Sequence, residues 1–166
     1  MTTQWLPRGR FLVGVFLAGL VGFLASENRA SAQAQGKFVT QAAERLHKAI
    51  DRANSNGYSL HDNAFSIGGG WLKQSKKNWI LLFTKTLKAG QPYKILAAGD
   101  SDARDVDVEI IDEDGKVVAK DADLDATAVV NFTPKTSGKY QVRVRLYDSR
   151  SNVPCVCLAI IMTKEK

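Results

Sequence analysis

Histidine and cysteine are scarce, two of each in 166 residues, and that scarcity narrows the chemistry at once. His47 falls inside a helical pattern, and His61 sits in "YSLHDNA" beside Asp62. Neither Ser66 nor Ser75 lies in a nucleophile-elbow context that could use such a base. A hydrolase is therefore the weakest reading, and no catalytic residue is assigned. Cys155 and Cys157 stand two apart in "PCVCLAIIM". On a regular strand that spacing puts both on one face with Cβ atoms roughly 6–7 Å apart, whereas a disulfide needs about 3.5–4.5 Å. Either the strand is distorted there or both thiols stay reduced in the core. No His lies near enough in sequence to join them as ligands of a soft metal.

Long apolar runs are missing too. The uncharged stretch "FLVGVFLAGLVGFLA", Phe11 to Ala25, is 15 residues, short of the roughly 20 a spanning helix needs. Arg8 and Arg10 precede it and the small-residue pattern "ASAQA" follows at Ala30 to Ala34, which is the layout of a secretory signal. The expectation is a cleaved leader over 1–34, no stable membrane insertion afterwards, and a secreted or periplasmic product. No Cys near the cleavage region could take a lipid, and "RGR" is not a twin-arginine pair. Without its leader the chain would carry 20 basic and 16 acidic residues, net +4. That is too small a surplus to signal nucleic-acid binding. Asp100 to Asp125 nevertheless holds eleven acids against Arg104, Lys116 and Lys120, an asymmetry that steers partners or reflects sheet faces that pair.

After the leader, Lys37 to Ser55 has apolar residues at three- and four-residue steps (Phe38, Ala42, Leu46, Ala49, Ile50, Ala53) and ends at Asn56-Gly57, which predicts one amphipathic helix laid on a sheet. From Ala64 on, the chain offers only short apolar or alternating runs separated by "KAGQP", "DEDG" and "TPKTSG". Seven or eight short strands at that spacing predict an antiparallel sandwich or barrel. The domain reading is a leader over 1–34, helix and linker over 35–60, and a β-sandwich over 61–166.

In "DVDVEI" the acids Asp105, Asp107 and Glu109 alternate with Val106, Val108 and Ile110, so the carboxylates share one face. "QVRVRLY" puts Arg143 and Arg145 opposite Val142, Val144 and Leu146. If the two strands are neighbours, a cross-strand ladder forms, worth about 0.2–1 kcal/mol per pair. Calcium is the competing reading. Neither register of the acid run satisfies an EF-hand: one begins with Ile110, and the other puts Ala126 where Gly is required. "DEDG" is better explained as a hairpin turn. A loop-built calcium site from Asp100, Asp102, Asp121, Asp123 and Asp125 stays open. "GGGWLKQSKKNW" lacks the Gly-Lys-Ser/Thr ending of a phosphate loop. A hairpin through it would bring Trp71 and Trp79 near cross-strand register, either as a packing pair or, with Lys73, Lys76 and Lys77, as a binding face for an anionic polymer or sugar.

The stretches "LKAGQPYKILAAGD", "DVDVEIIDEDGKVVAKD" and "VVNFTPKTSGKYQVRV", in that order, resemble the bacterial pre-peptidase C-terminal domain family over roughly Ala64 to Thr163. The resemblance implies a jelly-roll-like sandwich with an accessory role, in which some relatives bind calcium or extracellular polymers. The combined expectation is mainly β, a jelly-roll-like β-sandwich with one N-terminal helix. It would be a non-catalytic module binding a protein or polymer in the envelope or outside the cell, or, alternatively, a calcium-dependent structural module.

Overall fold

The computed structural model describes residues 35–60 and 66–164. The expected leader, His61, Asp62 and the start of the first expected strand at Ala64 lie outside them. Helix α1 covers 35–54. The strands are β1 (Tyr58–Ser59), β2 (Ile67–Leu72), β3 (Ile80–Leu87), β4 (Tyr93–Gly99), β5 (Ala103–Ile111), β6 (Val117–Asp121), β7 (Thr127–Phe132), β8 (Gly138–Ser149) and β9 (Cys155–Lys164). Among the described residues eight strands follow Ala64, in line with the seven or eight expected from the sequence. The two-residue β1, too short to carry a pattern, is the addition.

The pairing is nested. β5 pairs β6 across the "DEDG" turn, β4 pairs β7, β3 pairs β8 and β2 pairs β9, all antiparallel. One long ribbon, folded at residues 112–116, is thus rolled on itself, and β4–β9 and β5–β8 contacts close the roll. Two sheets result among the described residues: sheet I in the order β2-β9-β4-β7 with β1 also on β9, and sheet II in the order β3-β8-β5-β6. This is a jelly-roll-like sandwich; the strand spacing predicts a sandwich or barrel, and the jelly-roll form is what the family resemblance implies. The fold point is set by Gly115, whose φ of +78° suits glycine. Asp112 Oδ1 holds the turn by accepting the Asp114 and Lys116 N–H groups at 3.1 and 2.8 Å.

Residue pattern explains which faces are buried. β4 and β9 are apolar on both faces because both faces are covered. Ile95, Ala97, Cys155, Cys157, Ala159 and Ile161 point between the sheets, against Val106, Val108, Ile110, Val142, Val144 and Leu146. Leu96, Ala98, Ile160 and Met162 point outward and meet Leu46, Ala49 and Ala53 of α1. The alanines let the helix backbone come close to the sheet. Arg45 fastens its flank, its Nη1 donating to the carbonyls of Gly99 and Asp100 at 2.6 and 2.5 Å. Gly69 allows β2 to lie against β9, since a Cβ there would stand 2.5 Å from the Cys157 carbonyl oxygen.

Both cysteines are free and fully buried. Burial, reinforced by the negative Asp100, pushes the Cys155 thiol up to about 12, and burial raises Cys157 as well. Thiolate is the reactive form, so the native protein is expected to leave an aromatic disulfide reagent unreacted over hours and to consume two equivalents once unfolded in guanidinium. Fast reaction before unfolding would mean that the β9 end of the core opens readily.

Candidate functional site

The outward face of sheet II is built by two strands in register. Asp107 stands opposite Arg145 and Glu109 opposite Arg143, so the expected ladder forms. Arg145 Nε donates to Asp107 Oδ2 at 2.8 Å, Nη2 bonds the same oxygen, and Arg143 pairs with Glu109. Asp107 and Glu109 are 1% and 4% exposed, far more buried than an open sheet face would leave them. The β2–β3 connection, residues 73–79, lies against Arg145. Arg145 Nη1 donates to the Lys76 carbonyl at 2.6 Å, and its guanidinium lies 4.4 Å from the Trp79 ring and 4.8 Å from that of Tyr147. Gln74 Oε1 accepts the N–H and hydroxyl of Ser149 at 2.9 and 3.0 Å, and the Ser75 N–H bonds the Leu146 carbonyl at 2.9 Å. The connection is pinned rather than free, and it holds Lys73, Lys76 and Lys77 out into solvent.

Trp71 and Trp79 do not form the expected hairpin pair. β2 belongs to sheet I and β3 to sheet II, so the chain between them crosses from one sheet to the other instead of turning back. Trp71 packs edge-on against Phe38 of α1, with ring centroids 5.5 Å apart, and remains 47% exposed. Trp79 is half-buried beneath Arg145 and Lys120. Trp71 lies on β2 just before the connection and Trp79 is its last residue before β3.

Of the five loop carboxylates expected as calcium ligands, those of Asp100, Asp121 and Asp125 accept backbone N–H groups. Asp100 is fully buried, its Oδ1 accepting the Asp102 N–H at 3.0 Å and its Oδ2 the Val156 N–H at 2.7 Å. Asp102 faces Arg150 at 3.7 Å. Asp121 accepts the N–H groups of Asp123 and Val129, and Asp125 that of Thr127. Asp123 contributes its carbonyl to the Asp125 N–H. Among the described residues no group of three or more His, Cys, Asp or Glu side chains is placed to hold a metal ion. His47 is exposed on α1, 3.5 Å from Asp51.

Asp105, read from sequence as the third rung of the ladder, has no arginine. The β5–β8 register shifts on both sides of it, and it faces Asp148. Three acids against two arginines was the available signal, and the bulge that results could not be seen in it. Asp105 is 4% exposed, and its Oδ1 is buried with no hydrogen-bond partner. It lines a cavity of about 380 Å³ together with Gln74, Lys76, Arg104, Leu124, Tyr147 and Asp148. A second cavity, of about 590 Å³, opens at the other end of the sandwich, between the 112–116 turn and the 133–137 loop.

No family model and no curated protein matches the chain. The expected kinship with pre-peptidase C-terminal domains is therefore overturned. The motifs that suggested it are the turns and strand starts of this roll: "DEDG" is the β5–β6 turn and "TSG" leads into β8, and such punctuation recurs wherever strands meet tight turns. Among solved structures, the chain is similar to the Aeromonas hydrophila protein PliG, a periplasmic inhibitor of g-type lysozyme. The two are 18% identical with a TM-score of 0.42, the match covering 60% of this chain and 83% of that one.

Proposed function

We propose that this protein is an exported, non-catalytic module that binds a protein partner along segment 67–81, acting in the envelope or outside the cell. The observation that carries the reading is the open side of the sandwich. Ile67, Trp71, Ile80 and Leu81 are 53%, 47%, 47% and 50% exposed. They lie on β2 and β3, which among the described residues pair with β9 and β8 on one side only. Natural edge strands are usually blunted by charge, proline or cover. Here β2 has no charged residue and β3 has only Lys85. Exposed apolar side chains beside unpaired backbone offer a partner both contact area and strand hydrogen bonds. The exposed lysines of the connection add a cationic rim that speeds encounter with an acidic surface. The N-terminal charge and hydropathy layout supports export.

The test compares the protein with a Trp71→Ala/Leu81→Lys variant. Envelope proteins, g-type lysozyme among them, are passed over both in immobilised form, and each retained protein is then purified and titrated. The expected outcome is a partner with a Kd of micromolar or better that loses tenfold or more on the variant, while the unfolding midpoint is unchanged. Equal retention by both proteins, or retention of nothing, defeats the reading.

A further inference from the structure

We infer that the cavity beside Asp105 is a receptor for a guanidinium group, the side chain of an arginine presented by the protein partner. The inference rests on the protein-binding reading for the source of that arginine, and its geometry stands separately.

The cavity has the size and lining of a side-chain pocket. At about 380 Å³ it is near the lower end of small-ligand sites, roughly 300–1,000 Å³. Its wall from the β2–β3 connection is Gln74 and Lys76, which places it next to the proposed binding segment. Its rim includes Leu124, 86% exposed, an apolar surface on which the methylene stem of an arginine can lie. Tyr147 adds an aromatic wall whose ring already lies near the Arg145 guanidinium and the Lys76 ammonium.

The charge at its wall is unbalanced. From β5 come Arg104, Asp105 and Asp107, from β8 Arg145 and Asp148, from β6 Asp121, and from the connection Lys76. Asp107 and Arg145 are committed to each other. Among the described residues, neither Arg104 nor Lys76 forms an ion pair with Asp105, and the Lys76 ammonium instead lies 5.8 Å from the Tyr147 ring. Asp105 and Asp148 therefore stand opposite each other across the bulge with no cation between them. An acceptor buried without a donor is costly, and a donor delivered by a ligand relieves that cost. A guanidinium, with five N–H groups in a planar fork, can serve two facing carboxylates at once. Bulges commonly re-aim a side chain at a site in this way.

Protonation supplies an internal control. Burial first, then the charges of Asp107, Asp148 and Asp121, opposed by Arg145, raises the Asp105 carboxyl to about 6. A bound cation favours the ionised form, so binding displaces the proton present below that value. Affinity is highest above pH 7 and falls as the pH drops through 6.

The test uses the full chain and N-acetyl-arginine methylamide, with the uncharged citrulline analogue as control, followed by amide chemical shifts at pH 7.5 and 5.0. The expected result is saturable shifts confined to 74–76, 104–105 and 147–148. The apparent Kd should be at least fivefold weaker at pH 5.0, no response to the citrulline analogue is expected, and affinity should fall tenfold or more in Asp105→Asn. Equal response to both analogues, pH-independent binding, or no localised shift at millimolar probe in the folded wild type overturns the proposal. Free arginine binding tenfold tighter than the blocked form would make this an amino-acid receptor and overturn the assignment to a protein side chain. None of these arms involves the partner, so failure here leaves the segment 67–81 reading intact, whereas failure of that reading leaves the guanidinium site but removes the partner as the source of the arginine.

Discussion

Arg145→Ala is expected to destabilise the protein by about 3–5 kcal/mol, the usual cost of leaving one member of a buried ion pair behind. Asp107, 1% exposed, would lose the one cation that hydrogen-bonds it among the described residues. The substitution also removes the donor to the Lys76 carbonyl and the cation resting on Trp79 and Tyr147, so the 73–79 connection loses its central tether. Replacing both partners, as in Asp107→Leu/Arg145→Met, is expected to recover most of the loss, because the penalty belongs to the orphaned charge more than to the missing attraction. Urea denaturation of the wild type, both single variants and the double variant measures this directly. A single-variant loss below about 1 kcal/mol would mean that solvent reaches the pair in solution and that the face is not sealed.

Asp100→Ala is expected to cost about 3 kcal/mol, with or without calcium. Two N–H groups, those of Asp102 and Val156, are satisfied by its carboxylate, and hydrogen bonds to a charged group contribute about 1.5–3 kcal/mol each. Val156 is itself buried, so water cannot readily replace the lost acceptor. The carboxylate joins the β4–β5 turn to β9, and its removal loosens the end of sheet I that Arg45 also clamps. Thermal unfolding of wild type and variant in chelator and in about 1 mM calcium separates this role from metal binding, since a site of 10 µM affinity would add about 2.7 kcal/mol at that excess. Equal midpoints in the two buffers are expected. A calcium-dependent rise in the wild type that disappears in Asp100→Ala would support the metal reading.

These two residues show what the sequence could and could not tell. The ladder was legible because alternation fixes faces: once "DVDVEI" and "QVRVRLY" are strands, the acids of one and the arginines of the other must each share a side. Strand positions were legible for the same reason, and α1 because its apolar spacing changes to a helical period. Sheet membership was not legible. "KQSKKN" has the length of a hairpin loop, and nothing local distinguishes a turn within a sheet from a crossing between sheets, so Trp71 and Trp79 were paired on paper. Nor did the roles of individual acids emerge. Asp100 and Asp105 are both aspartates in one acid-rich stretch, yet one is saturated with backbone donors and the other has an oxygen with none. That difference depends on Val156 and Asp148, 56 and 43 positions downstream.

The nested roll also sets the order in which the molecule can come into being. β9 is the last strand made, and it lies inside sheet I, touching β1, β2 and β4. Until Cys155–Lys164 exists, β2 has no partner and α1 lacks Ile160 and Met162 from the floor on which it rests. Sheet II and the β4–β7 pair have all of their strands before β9 is made. Sheet I is therefore held in an unfinished state until β9 has been made, with its apolar segments uncovered. Such sequence-distant pairing slows folding, and during that interval the chain remains threadable and dependent on whatever shields it from its neighbours.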